Sequence, residues 1–178
     1  DFLNRVARAC RKEFPNLYLT AYVYSNVRTP PVGMTIEPNI VVDLVTKSYN
    51  WVDPVRLEAE KERARSFAAL GAGWMFHDWC FSGVTPRIYS RQWAAFLQWA
   101  AQNGSIGSST IEWSPGEPWY LDGANYWVLQ QLLSDPYQDV DALWRQYCND
   151  MFGAGAEEMY RFYDLLAQKH VFSDRYYQ

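Results

Sequence analysis

The sequence predicts an α/β fold with parallel strands, for three reasons. Four short segments rich in β-branched and aromatic residues alternate with segments of helical periodicity, which is the pattern of βαβ units with right-handed crossovers. The second of these segments, NIVVDLV, is apolar without alternation, as in a strand covered on both faces. Polar or aromatic residues follow each strand, as at the active face of a (β/α)8 barrel. We therefore predict the C-terminal half of a (β/α)8 TIM barrel, with four parallel strands and flanking helices, followed by C-terminal helices.

The first elements follow from local patterns. Residues 1–14 place apolar side chains at helical spacing between basic ones, and Pro15 ends that helix. The segment LYLTAYVY, residues 17–24, has the composition of a strand. After a loop with three prolines, residues 39–45 form the second predicted strand.

The middle of the chain carries helix signals at both ends. Asp53 is a plausible N-cap, Pro54 suits the first helical position, and Gly71 ends this helix after Leu70. The segment GWMFHDW, residues 73–79, is the third predicted strand.

The last part of the chain has one further strand, IGSSTIEW, at residues 106–113. Ser90 is the predicted cap of the helix before this strand, and Asp139 caps a later helix that Gly153 ends. The helices predicted here are 91–102, one from Asp122 or Gly123 to Leu133, one ending at Phe152, and one from about Ala156 to His170.

The predicted domain organisation is half of a barrel. Residues 1–135 are assigned to the second half of the barrel and residues 136–178 to C-terminal helices packed on it. A complete barrel needs about 250 residues and eight strands, whereas this chain has 178 residues. Because four strands alone leave two open sheet edges, we expect a fragment of a longer protein. The N-terminal half of the barrel or a partner chain would close the sheet.

Composition excludes several classes of function. The 16 basic and 20 acidic residues give a formal charge of −4, which argues against nucleic acid or an anionic membrane as a partner. No apolar run reaches the roughly 20 residues of a membrane span, and no signal peptide is recognisable. Three cysteines and two histidines lack zinc-site spacing, and nucleotide-binding glycine motifs are missing. We therefore expect no metal and no cofactor.

Two carboxylates are the strongest candidates for catalysis. Asp78 follows an apolar strand and lies between His77 and Trp79, where partial desolvation favours acid or base chemistry. Glu112 ends the fourth strand, after small residues that leave room for a ligand. If the two strands are neighbours, the pair matches the two carboxyl groups that glycoside hydrolysis requires. The structural alternatives are a capping or salt-bridged Asp78 and a Glu112 that accepts hydrogen bonds from loop amides.

Aromatic residues are frequent, with nine Trp, thirteen Tyr and nine Phe, and many follow predicted strands. Sugar rings stack their C–H faces on such side chains, although several of these rings are as well explained by core packing. Trp119 is placed in a stiff loop after Glu112. The predicted substrate-binding residues are Tyr24, Lys47, Tyr49, Trp51, His77, Trp79, Trp113 and Trp119.

Three further residues have two interpretations each. Lys47 ends the second strand, where a Schiff-base lysine of a barrel aldolase would lie, but a solvated or ion-paired lysine explains it as well. Asp43 lies in the middle of the same strand, either as an inward polar residue or in a structural role. His77 beside Asp78 lacks a third ligand with suitable spacing, so we reject a metal site.

The order of segments resembles a known family. The chain runs through KEFPN, LTAYVYSNVRTPP, NIVVDLV, GWMFHDWCF and GSSTIEW to LLSDPYQDVDALWRQYCNDMFG. This order resembles the bacterial DUF4838 family, a glycoside-hydrolase-like barrel domain related to α-glucuronidases, over the C-terminal half of that domain. The resemblance implies a secreted or periplasmic protein that acts on a polysaccharide. Asp78 and Glu112 would be the counterparts of the late-strand carboxylates, while the general acid would come from an earlier strand outside this chain. A non-catalytic carbohydrate-binding barrel is the alternative.

Overall fold

The computed structural model describes residues 1–48, 51–79, 88–112 and 119–169. Six helices and four strands lie within these residues, and two short 3-10 turns lie at Ser25–Val27 and Gly153–Gly155. The strands are β1 (Leu19–Val23), β2 (Ile40–Thr46), β3 (Gly73–Trp79) and β4 (Ser105–Glu112). The helices are α1 (Phe2–Glu13), α2 (Pro54–Ala68), α3 (Ser90–Gln102), α4 (Trp119–Ser134), α5 (Val140–Phe152) and α6 (Ala156–Lys169). None of these helices is both long and apolar enough to cross a membrane.

The four strands form one parallel sheet in the order of the sequence, β1-β2-β3-β4. Leu19 pairs with Ile40 and Val23 with Leu44, while Val41 pairs with Gly73 and Thr46 with Asp78. Helix α2 joins β2 to β3 and α3 joins β3 to β4, as in the repeating unit of a (β/α)8 barrel, whereas only a 3-10 turn lies between β1 and β2. The predicted fold class, four parallel strands with flanking and C-terminal helices, is confirmed.

Most element boundaries agree with the predicted ones, and two differ in an informative way. Helix α4 begins at Trp119, three residues before Asp122, so Asp122 lies within the helix, where an acidic residue near the N-terminus is also favourable. Ser90 is the first residue of α3, and its hydroxyl donates to Asn125 Oδ1 at 2.9 Å. By contrast, Asp139 caps α5 as predicted, since its carboxylate accepts hydrogen bonds from two backbone N–H groups of the first turn.

The chain divides into two compact units. Unit 1 comprises residues 1–46, 58–79 and 100–111, and unit 2 comprises residues 47–57, 80–99 and 112–178. The sheet lies in unit 1 apart from Glu112, the last residue of β4.

The sheet in unit 1 has two different faces, because side chains alternate along each strand and register partners share a face. We call one the covered face, and it carries five side chains that are at most 4% exposed: Val23, Val42, Leu44, Trp74 and Phe76. The indole Nε1 of Trp74 donates to the carbonyl of Asn103, just after α3. We call the other the open face; on β1 it carries Thr20 and Tyr22, both exposed to solvent.

Arg63 of α2 fixes the C-terminal ends of β1 and β2. Its guanidinium donates to the carbonyl of Val45 at 2.9 Å and of Val23 at 3.4 Å, and it pairs with Glu60. Glu60 also accepts from Arg28, which follows β1, at 2.6 Å. Burial lowers the pKa of the Arg63 guanidinium, and the neighbouring Glu60 carboxylate opposes that shift. One helix therefore ties together the ends of two strands and the chain after β1.

Unit 2 is held by aromatic packing and one shared cation. Arg91 pairs with Asp141 at 2.6 Å and with Asp164 at 2.9 Å, and its guanidinium lies 4.6 Å from the ring centroid of Trp144. Because one side chain contacts α5 and α6 from α3, it fixes the mutual position of these helices. Trp93 and Trp144 are at most 1% exposed, so both rings are packed inside this unit.

Candidate functional site

Asp78 lies one residue before the end of β3 and is 0% exposed. Its register partner is Thr46, the last residue of β2, and the Thr46 hydroxyl donates to Asp78 Oδ2 at 2.5 Å. A hydrogen bond to a carboxylate inside a protein is stronger than one between neutral groups. The neighbouring strand thus fixes the position of this carboxylate at the C-terminal edge of the sheet.

His77 points to the opposite face from Asp78, because successive residues of a strand alternate. Its imidazole is 3% exposed, and its ring lies 5.3 Å from the ring of Tyr22 with an interplanar angle of 83°. Tyr22 belongs to β1 and is 60% exposed. His77, predicted from the sequence as a ligand-contacting residue, therefore lies beside an exposed aromatic ring on the open face.

Asp43 lies on the same open face as Tyr22, its register partner on β1. Its side chain is 2% exposed, and Oδ1 has no hydrogen-bond partner within the described part of the chain. The sequence left this residue between an inward polar role and a structural one. The register now groups Asp43 with Tyr22 and His77 on one face of the sheet.

Glu112 is the last residue of β4, and the sheet order makes β4 the neighbour of β3. The condition attached to the predicted pair of carboxylates, adjacent strands, is therefore confirmed. Each residue lies at the C-terminal end of its strand. The side chain of Glu112 lies outside the described atoms, and a catalytic role for either residue stays a prediction.

The remaining predicted substrate-binding residues fall into three groups. Tyr24 follows β1 and is 42% exposed, while Lys47 follows β2 and is half-buried. Trp119 begins α4, so the expectation that it belongs to a loop was wrong. The residues Tyr49 and Trp113, together with the side chains of Trp79 and Trp119, lie outside the described part of the structure.

Trp51 corrects the expectation of an exposed ring after β2. It is 1% exposed and packs against Phe96, with ring centroids 4.1 Å apart, and against Trp93 at 5.3 Å. A ring enclosed by two others belongs to the core of unit 2 and offers no free face to a sugar. Its position near a strand end gave the sequence signal, which does not distinguish a packed ring from an exposed one.

A separate cleft of about 330 Å³ lies in unit 2, along α5, the second 3-10 turn and α6. Arg145 lies across it, 3.8 Å above the ring of Tyr160 and 3.0 Å from Glu157. None of the residues predicted from the sequence lines this cleft. Within the described residues no group of three His, Cys, Asp or Glu side chains is arranged to hold a metal ion.

A comparison with models of known protein families shows to which family the chain belongs. The model of DUF4838, described as a domain of unknown function, matches residues 1–164. The chain belongs to the DUF4838 family. No curated protein and no solved structure matches it. The resemblance seen in the strand and helix segments is thereby confirmed, and the family description itself assigns no activity.

Proposed function

We propose that this DUF4838 domain is a glycoside hydrolase-like domain that acts on a polysaccharide or oligosaccharide. The observation that carries the proposal is the presence of acidic residues at the C-terminal ends of two neighbouring parallel strands, Asp78 on β3 and Glu112 on β4. Most glycosidases use two carboxyl groups on either side of the scissile bond, one as acid and one as base or nucleophile. The C-terminal ends of strands are where barrel enzymes carry such groups.

The environment of Asp78 supports a positioned carboxyl group. Thr46 fixes Oδ2, and a fixed orientation is what an acid or base needs before the substrate arrives. Tyr22 lies on the opposite face of the sheet, so its exposed ring offers a separate apolar surface for the C–H face of a pyranose and does not belong to the surroundings of Asp78.

Substitution of the two carboxylates tests this proposal. In the longest form of the protein that hydrolyses a glucuronic-acid-bearing oligosaccharide, Asp78→Asn and Glu112→Gln should each lower the rate at least about a hundredfold, because general acid–base groups contribute this much or more. Glu62→Gln is the matched control, since this carboxylate is 67% exposed on α2. Wild-type rates in both Asp78→Asn and Glu112→Gln would remove the catalytic assignment.

The burial of Asp78 requires a second control. Because this side chain is 0% exposed and hydrogen-bonded, Asp78→Asn can lower the rate by destabilising the fold. Thermal unfolding of each variant separates the two effects. A rate loss counts for catalysis where the melting temperature stays within a few degrees of that of the wild type.

A non-catalytic carbohydrate-binding domain is the second candidate, and the complete burial of Asp78 favours it. A carboxylate enclosed at 0% exposure and held by Thr46 can also serve as a structural acceptor. Under this function, the protein binds the oligosaccharide but produces no reducing ends, and Tyr22→Ala weakens binding.

We also propose that another part of the protein or a partner chain completes the sheet. Strands β1 and β4 are its edges, and unpaired edges favour the addition of strands. Addition of the part or partner that completes the sheet should slow amide hydrogen exchange along Leu19–Val23, and unchanged exchange would contradict the proposal.

A further inference from the structure

The open face of the sheet carries a carboxylate that the paired-carboxylate proposal does not use. Asp43 lies in the middle of β2, between its register partners Tyr22 on β1 and Met75 on β3. Val41 and Val45, the next residues of β2 on the same face, are 4% and 3% exposed. The carboxyl group thus lies between two buried valines, three residues before the end of β2.

The burial of this carboxyl group does not by itself stabilise the folded protein. Asp43 is 2% exposed, and Oδ1 is buried without a hydrogen-bond partner in the described residues. Removal of a carboxylate from water without a compensating donor costs free energy, and unsatisfied buried groups of this kind are rare in folded proteins. Asp78 shows the contrast, since Thr46 satisfies its buried oxygen. A donor for Asp43 is therefore expected from outside the described residues.

The two aromatic rings beside Asp43 meet above β2. Tyr22 is on β1 and His77 on β3, two strands apart, yet their ring centroids are 5.3 Å from each other. Neighbouring strands lie about 4.8 Å apart, so the two side chains converge over the strand between them. They meet near Asp43 and Val45, the residues in register with Tyr22 and His77. Tyr22 is the exposed member of the pair, at 60%.

We infer that Tyr22, Asp43 and His77 form a sugar-binding subsite on the open face of the sheet. When the sugar binds, the exposed Tyr22 ring moves away from Asp43, so that a ring hydroxyl of the sugar reaches and donates to Asp43 Oδ1 while the C–H face of the same sugar stacks on Tyr22. His77 supports the tyrosine ring from its edge. The choice of a sugar as the ligand rests on the proposed function, whereas the need for a hydrogen-bond donor rests on the burial of Asp43.

A purely structural Asp43 makes a different prediction for stability. If the carboxylate holds the fold together, its replacement must destabilise the protein. If it is kept for a ligand, a residue of similar size without the carboxyl group removes an unsatisfied buried oxygen and leaves the free protein equally stable or more stable. Loss of function together with gained stability is the signature of such a residue.

The experiment compares Asp43→Asn, Asp43→Leu and Tyr22→Ala with the wild type. The control is Thr20→Val. Thr20 is exposed on the same face of β1, but it lies two residues before Tyr22 and outside the proposed subsite. Binding of a glucuronic-acid-bearing oligosaccharide is measured by titration calorimetry, and stability by thermal unfolding without ligand. Neither measurement depends on turnover.

We expect Asp43→Leu to weaken binding about tenfold to a hundredfold, the range for a lost hydrogen bond to a charged group. Asp43→Asn keeps an acceptor oxygen and should weaken binding less. Both variants should melt at or above the wild-type temperature, Tyr22→Ala should also weaken binding, and Thr20→Val should leave it unchanged.

Two outcomes would overturn the inference, and they differ from each other. If the wild type binds the oligosaccharide and the Asp43 variants bind it equally well, the subsite is wrong while the proposed function stands. If the wild type binds no oligosaccharide, the proposed function and the subsite both fail. A lower melting temperature for Asp43→Asn with unchanged binding would assign the residue to the fold.

Discussion

The two faces of the sheet place an aspartate in opposite circumstances. On the covered face, Asp78 is enclosed and its Oδ2 accepts the hydroxyl proton of Thr46. On the open face, Asp43 is almost equally enclosed, but its Oδ1 has no donor in the described structure. The two side chains are nearly equally buried, but within the described residues only Asp78 accepts a hydrogen bond at its buried oxygen. The difference teaches that equal burial does not mean equal hydrogen bonding, because the register decides whether a neighbouring strand offers the carboxylate a donor.

The largest expected change in the free energy of unfolding comes from removing a large side chain on the covered face. Phe76→Ala on the covered face should lower the free energy of unfolding by about 3–5 kcal/mol, because this side chain is 2% exposed and its removal leaves a cavity. Tyr22→Ala on the open face should cost about 1 kcal/mol, since its ring is 60% exposed and loses mainly the contact with His77. Urea unfolding measures both, and equal losses would show that both faces are packed alike.

The next effect concerns the hydrogen bond of Asp78. Thr46→Val keeps the shape of the side chain but removes the hydroxyl donor, so the free energy of unfolding should fall by about 1–3 kcal/mol. Thr20→Val is the matched control on the open face, where Thr20 is exposed and a change within about 0.5 kcal/mol is expected. If the two substitutions cost the same, Thr46 does not stabilise the buried carboxylate.

The smallest effect concerns an exposed contact of unit 1. The hydrogen bond from Arg65 lowers the pKa of the Glu58 carboxyl group in the folded protein. A lowered folded pKa means that the ionised form is stabilised, so the contribution is present above the ordinary glutamate pKa of about 4.3. It is lost as the pH falls through the folded pKa.

Glu58→Gln should therefore be slightly less stable than the wild type at pH 7, and the two proteins should converge in acid. Denaturant unfolding at pH 7 and pH 3 measures this difference. Arg65→Met should show the same convergence, because it removes the other half of the contact. A difference that persists at pH 3 would show that the glutamate acts through packing instead of charge.

Local signals in the sequence were sufficient for most of the fold. Asp139 and Gly153 mark the two ends of α5, and the composition of residues 73–79 predicts β3 with its observed bounds. The parallel direction of the strands followed from the alternation of strands and helices. The start of α4 was missed because an acidic residue is favourable both at a helix cap and within the first turn.

The candidate site was less accessible from the sequence, because it depends on contacts between strands. The pairing of Thr46 with Asp78 and of Tyr22 with Asp43 requires the register, which no single segment encodes. Proximity to a strand end suggested Trp51, which the structure encloses between Trp93 and Phe96. Proximity alone is therefore a weak signal, and the alternation of residues between the two faces is the stronger one.

The contact between Tyr22 and His77 has a spectroscopic consequence. The rings meet nearly at right angles, at 83°, so the edge protons of one ring lie over the π-electrons of the other. Circulation of those electrons shifts the proton resonances of the ring that points edge-on, and the shift falls steeply with separation. This pair therefore provides an intrinsic NMR reporter on the open face of the sheet. Any molecule that displaces the exposed tyrosine changes this signal, without a label and without a knowledge of the reaction.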